Sequence, residues 1–170
     1  MNNSSDSELQ ERLSQVKLLV LDVDGVLTDG GLYYTESGEE LKKFNVKDGQ
    51  GIKLVMQAGI EVAIITTSTS DATFHRTRKL GIKHTFIGIE DKLTIINKLC
   101  KELGLSLSQV AYVGDDIVDL PGMRAVGCPL TVADAMPDNQ ACALYVTQRA
   151  GGQGCVREIC DLLLKTQLKS

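Results

Sequence analysis

Asp22 and Asp24 stand two residues apart, directly after the apolar run Val16-Lys17-Leu18-Leu19-Val20-Leu21 and just before Gly25, in the string LDVDGVLTDG. Such a run reads as a buried parallel strand, and open α/β sheets bind ligands at the carboxyl ends of their strands. A carboxylate pair there can hold a hard cation and offer an oxygen nucleophile, one able to carry a covalent phosphoryl group. Alone, Asp-x-Asp-Gly fits an ordinary turn equally well, since Asp and Gly dominate turns. Four further groups recur at strand ends or helix starts: Thr66 after EVAII, Lys92 opening a helix after Gly88, the Asp115-Asp116 pair after VAYVG, and Asp119 one turn on. Each singly is explained as a cap or a solvated side chain. Together they suit phosphoryl transfer. A phosphate monoester repels an anionic nucleophile, so its site needs a divalent cation and fixed positive charge. Asp22, Asp115 and water supply the oxygens that Mg²⁺ prefers, Lys92 offsets charge, Thr66 and the amides after Asp22 meet phosphoryl oxygens, and Asp24 serves as acid and base.

The elements that must position these groups alternate. Strands are expected at 16–22, 61–66, 84–88, 110–114, 128–132 and 143–146, with two short strands around Ser37-Gly38 forming a hairpin. Helices are expected over about 49–58, 70–80, 91–103, 117–126 and 157–168, several closed by Gly59, Gly81 or Gly104. The fold class is therefore α/β, a Rossmann-like doubly wound parallel sheet with a short β-hairpin insert after the first strand and no large cap. No linker or repeat divides the chain, so residues 16–170 read as one domain behind a polar segment, 1–15.

Composition narrows the classes. A net charge of −4 over 170 residues gives no basic footprint for nucleic acid or an anionic membrane. No apolar run approaches the ~20 residues of a membrane span, and the polar N-terminus has no signal-peptide core, so a cytoplasmic location is expected. Cys100, Cys128, Cys142, Cys155 and Cys160 form no CxxC pair, and reduced, buried thiols are expected rather than a zinc site.

DVDGVLTDG, IITT, the lysine of EDK and VGDDIVD resemble the four motifs of the haloacid dehalogenase superfamily. The resemblance makes Asp22 the nucleophile, Asp24 the acid and base, Thr66 the phosphate-binding hydroxyl and Lys92 the charge stabiliser. It makes Asp22, Asp115 and the backbone carbonyl of Asp24 ligands of Mg²⁺, with Asp116 and Asp119 supporting the loop and the metal shell. From Lys17 to Leu164 the chain further resembles the 3-deoxy-D-manno-octulosonate 8-phosphate phosphatases, in GGLYYTESGEELKKFNVKDGQGIKL, HRTRKLGI, VAYVGDDIVDLPGM and TQRAGGQGCVREICDLLL. That family lacks a large cap and assembles tetramers through its hairpin, with the active site near a subunit boundary. The resemblance implies hydrolysis of that sugar-acid phosphate, a step of lipopolysaccharide inner-core sugar synthesis, in a homotetramer. It also implies substrate contacts from Asn45, Lys47, Asp48, Gly49, Lys53 and Arg76. Leu32, Tyr33 and Tyr34 of the hairpin have no cap to cover them.

Arg149 heads a glycine-rich stretch, Gly151, Gly152 and Gly154, that lets backbone approach a ligand or neighbour. The resemblance sets it near the active-site mouth, with Arg149 meeting the anionic substrate and the terminal helix or tail approaching a neighbouring subunit. Two departures stand out. Thr67-Ser68 replaces the family's usual Gly-Arg, and Lys53 stands where arginine is common, so a nine-carbon keto-sugar acid phosphate is an alternative substrate. A signalling receiver also gathers Asp, Thr and Lys on a parallel sheet, but it carries its acidic pair first and its phosphorylated Asp in mid-chain. An idle scaffold of the same fold would have lost a motif residue, and none is missing.

Overall fold

Four side chains, Leu18 to Leu21, are fully buried in the first sheet strand, which explains why its sequence shows no alternation: both of its faces are covered. In this computed structural model, which describes residues 3–167, that strand is β1 (Leu18–Leu21). It pairs in parallel with β4 (Glu61–Ile65) on one side and β6 (Val110–Val113) on the other. With β5 (His84–Phe86), β7 (Cys128–Thr131) and β8 (Tyr145–Val146) the order is β5-β4-β1-β6-β7-β8, all neighbours parallel. The chain leaves β1 for β4 and β5 on one side and returns to β6 on the other, so the order reverses at β1. A crevice opens at the carboxyl ends of strands at such a reversal.

Helices cover both faces. Leu19 and Leu21 pack with Leu13 of α1 (Asn3–Ser14), Ile52 and Val55 of α2 (Val46–Gln57), and Val156, Ile159 and Leu163 of α7 (Cys155–Gln167). On the other face Leu18, Val20 and Tyr112 pack with Ile96 and Leu99 of α4 (Lys92–Leu103) and Met123 of α5 (Leu120–Ala125). Each fully buried aliphatic side chain of this kind contributes about 1.5–3 kcal/mol. α3 (Asp71–Leu80) ends at Gly81 in the left-handed conformation, and α6 (Pro137–Cys142) starts on a proline. No described helix is long and apolar enough to cross a membrane. Cys100, Cys128, Cys155 and Cys160 are buried unpaired thiols, while Cys142 is half-buried, and burial pushes those of Cys128 and Cys155 up to about 12.

Differences from the expected elements have local causes. The polar N-terminal segment, for which composition suggested no element, forms α1 and buries Leu13 against the core. α2 begins at Val46 instead of about 49, because Asn45 caps it by accepting the Lys47 N–H, while Gly49 and Gly51 mask the helix in the sequence. The helix expected over 117–126 is a 3₁₀ turn, Ile117–Asp119, running into α5. α7 begins two residues before the expected 157, and the expected end at Leu168 lies outside the described residues. The hairpin is β2 (Tyr33–Tyr34) against β3 (Glu40–Leu41), with Gly38 at φ +86°.

Asp48, expected as a substrate contact, has a structural contact of its own. It is 1 % exposed, and its carboxylate accepts the Arg157 N–H at 2.8 Å beside the amides of Gly154 and Val156. An acidic side chain on α2 thus caps the first turn of α7, where the unpaired N–H groups and the helix dipole favour it. Asp48→Ala leaves those amides buried without an acceptor and is expected to cost about 1–3 kcal/mol in urea unfolding. Unchanged stability with a raised KM would instead return Asp48 to the substrate.

Candidate active site

Lys92 is the first residue of α4, where a cation meets the positive end of the helix dipole. It is nonetheless 2 % exposed, held by two carboxylates: Nζ lies 2.9 Å from Asp22 Oδ1 and 2.6 Å from Asp119 Oδ1. Asp91 fixes the start of that helix by accepting the Thr94 N–H at 3.1 Å and hydroxyl at 2.7 Å. The strand end fixes Asp22, whose own N–H continues the sheet by donating to the Val113 carbonyl.

Asp119 holds the other side. Its Oδ1 accepts both the Lys92 ammonium and the Tyr112 hydroxyl, and its Oδ2 accepts the N–H groups of Asp115 and Asp116 at 3.0 and 3.3 Å. With both oxygens shared in this way, Asp119 organises the loop after β6. Asp116 is exposed and closes the 3₁₀ turn through the Ile117 N–H. Tyr112 was missed in the sequence. Its signal was a tyrosine in an otherwise aliphatic buried strand, whose hydroxyl requires a partner.

Asp22, Asp115 and Asp119 each offer an oxygen within 4.8 Å of the others. Burial first, then Asp119, pushes the Asp22 carboxyl up to about 6 against the opposing pull of Lys92. Burial, then Asp22, Asp119 and Asp116, pushes Asp115 up to about 8. With all three carboxylates ionised against one ammonium, two negative charges are left, matching one divalent cation, and the clustered donors are hard oxygens. Apart from the Lys92 ammonium at 2.9 Å, the buried Asp22 Oδ1 has no partner among the described residues. These residues fit such an ion. Gly25 makes the cluster compact: its φ is +83°, and a Cβ there would overlap the Asp115 carboxylate.

Thr66, just past β4, is 1 % exposed and its Oγ1 accepts the Ser68 N–H at 3.1 Å. Ser68 in turn accepts from Ser70 N–H, ahead of α3. Asp24 is half-buried and ion-paired with Lys42 at 2.6 Å, a partner that nothing in the sequence spacing signalled.

The residues expected to meet the sugar sit on α2, on α3 and in the loop after β8. Asn45 donates to the Gly152 carbonyl at 3.1 Å, and Lys47 is exposed on the first turn of α2. Arg76 of α3 donates to the Asn45 carbonyl and stacks over Phe44, and Gly49 gives its guanidinium room, since a Cβ there would fall 2.3 Å from Nη2. Lys53 lines a cleft of about 410 Å³ with Glu61, Gly81 and Lys83, at the amino end of β4 and away from Asp22. Arg149 lines a different cleft, about 290 Å³, with Arg157 and Glu158, and Arg157 pairs with Asp161 at 2.8 Å. The glycines beyond Arg149 do reach the cluster's loop: Gly152 N–H donates to Val26 O, and Gly151 N–H to Asp134.

A model of the haloacid dehalogenase-like hydrolases matches residues 48–127. The 3-deoxy-D-manno-octulosonate 8-phosphate phosphatase of Escherichia coli (strain B / BL21-DE3) is 47% identical over 163 residues, covering 96% of this chain and 87% of that protein. The crystal structure of the phosphatase of that name from Yersinia pestis superposes with a TM-score of 0.93 at 45% identity, covering 95% of this chain and 88% of that one. A phosphatase of the same name from Moraxella catarrhalis, in complex with magnesium ion, phosphate ion and KDO, gives a TM-score of 0.93 at 41% identity, covering 96% and 94%. With its motif residues gathered at the reversal of a parallel sheet and relatives matched over almost its whole length, the chain belongs to the 3-deoxy-D-manno-octulosonate 8-phosphate phosphatase family of haloacid dehalogenase-like hydrolases.

Proposed function

We propose that the protein is a magnesium-dependent phosphatase that hydrolyses 3-deoxy-D-manno-octulosonate 8-phosphate to the free sugar acid and inorganic phosphate through an aspartyl-phosphate on Asp22. The observation that carries this reading is the contact of one buried lysine with two of three clustered carboxylates at the strand ends.

Asp22, with a carboxyl near 6, is ionised at neutral pH and attacks phosphorus. As the Asp22–phosphorus bond forms, the ester bond breaks and Asp24 gives its proton to the departing sugar oxygen. Asp24 then takes a proton from water, whose oxygen attacks phosphorus, and the bond to Asp22 breaks to release phosphate. Lys92 keeps its charge beside Asp22 throughout, and Thr66 with the amides after Asp22 binds the phosphoryl oxygens. Asp22, Asp115 and the Asp24 carbonyl would hold Mg²⁺, which when bound supplies charge neutralisation for the incoming dianion.

Asn45, Lys47, Gly49, Lys53, Arg76 and Arg149 are proposed to contact the sugar acid or its phosphate, at a site near a subunit boundary. Leu32, Tyr34 and Leu41 on the hairpin are 62%, 61% and 54% exposed, which supports a homotetramer assembled there. A cytoplasmic location goes with this reading. Ser68, a neutral side chain where the family carries arginine, favours testing one alternative, a nine-carbon keto-sugar acid 9-phosphate.

Phosphate release from the eight- and nine-carbon esters, compared with magnesium present, tests the substrate: the account expects the higher kcat/KM for the eight-carbon ester, and preference for the nine-carbon one would replace it. Asp22→Asn should reduce turnover to background while the melting temperature holds or rises, because a buried charge crowded by Asp115 and Asp119 is removed. Ordinary turnover in that variant sinks the role of Asp22.

The raised carboxyls set a pH dependence. Below about 6 both Asp22 and Asp115 hold protons, and between 6 and 8 only Asp115 does so predominantly, so magnesium must expel a proton to bind. Affinity should therefore rise with pH, by up to about tenfold per unit between 6 and 8, and level off above. Calorimetry in buffers of different ionisation heat reads both the affinity and the proton released. Binding that is independent of pH and releases no proton would contradict the electrostatics.

A further inference from the structure

Lys42 follows β3 directly, on the strand that returns from the hairpin. Its side chain is 2 % exposed, and its ammonium lies between two carboxylates, 2.6 Å from Asp24 Oδ1 and 2.8 Å from Glu40 Oε1. A lysine this covered is held by its partners, because its long chain gives up rotamer freedom on being fixed. Glu40 is reached in turn by the Tyr34 hydroxyl at 3.4 Å, from the facing strand. The next residue, Lys43, bridges to Asp29 at 2.6 Å, so two successive lysines tie the hairpin to the loop that carries Asp24.

We propose that Lys42 is a positioning residue for the phosphoryl chemistry: it pins one oxygen of Asp24 and makes the conformation of that carboxylate depend on the hairpin. This inference rests on the proposed phosphatase reading, in which Asp24 gives a proton to the leaving oxygen. Asp24 Oδ2 takes part in no hydrogen bond among the described residues, so the pinned carboxylate keeps one oxygen for the reaction. Glu40 gives the ammonium a second partner. The exposed apolar side chains of the hairpin lie on the same short element, so whatever covers them also bears on Asp24 through Glu40 and Lys42.

The test compares Lys42→Met, which keeps length and removes charge, with Lys42→Arg, on two esters. An alkyl ester, the sugar-acid 8-phosphate, needs a proton on its leaving oxygen; p-nitrophenyl phosphate has a leaving group that departs without one. Lys42→Met should lower kcat and kcat/KM on the sugar ester by about tenfold, part of the 10²–10⁴ that a positioned acid contributes. On p-nitrophenyl phosphate its kcat/KM should fall less than threefold. Lys42→Arg should recover most of the loss, and melting temperature and molar mass should match the wild type. An equal loss on both esters, or no loss on either, overturns the proposal. Crystal structures read the positioning without turnover: Asp24 in one rotamer in the wild type and in several in Lys42→Met supports it, and an unchanged single rotamer overturns it. Wild-type turnover of both esters is read separately, so failure of the phosphatase reading is not confused with failure of the ion pair.

Discussion

The ammonium of Lys92 between Asp22 and Asp119 is the interaction on which the rest of the site depends. Three carboxylates have been brought within 4.8 Å and largely removed from water, an arrangement that costs several kcal/mol per ion unless charge is returned to it. One lysine, itself buried against the dipole of its own helix, returns only part. The carboxyls that remain under-compensated, Asp22 near 6 and Asp115 near 8, record the deficit. A divalent cation and the positive field it brings are what the incomplete balance asks for. The same imbalance makes the site a poor contributor to stability and a good one to chemistry.

Everything around the cluster serves to impose that geometry. β1, β4 and β6 end side by side because they are adjacent parallel strands, buried on both faces, and the two apolar layers supply the stability that the crowded carboxylates do not. Asp91 sets the first turn of α4, Asp48 that of α7, and Asp119 gathers the amides of its own loop. These three aspartates act on backbone N–H groups, and Asp119 belongs to the charged cluster as well. The distinction lies in what surrounds each carboxylate and not in its residue type.

Much of this was legible in the sequence. The strand ends, the helix stops at Gly81 and Gly104 and the hairpin at Gly38 are local features, written in short runs, and the structure places them within a residue or two. The grouping of Asp22, Lys92 and Asp115 followed from their order along alternating elements. What the sequence hid is contact between distant residues. Asp48, placed at the sugar by the resemblance, caps another helix more than a hundred residues away. Lys42 carries no signal in the sequence, and its side chain is buried on Asp24. Asp119 reads as a supporting acid, and only the fold shows one of its oxygens shared by Lys92 and Tyr112. The hairpin's Leu32 and Tyr34 are apolar and stay exposed, with no described element covering them.

The covalent step is the central claim, and chemical trapping addresses it directly. The protein is mixed with the sugar-acid 8-phosphate and magnesium, quenched within the first turnover and reduced with borohydride, which converts a phosphorylated aspartate to homoserine. Peptide mass spectrometry then locates the change. The account predicts homoserine at position 22 alone; its appearance at 24 or 115, or at no aspartate while phosphate is being released, would contradict it.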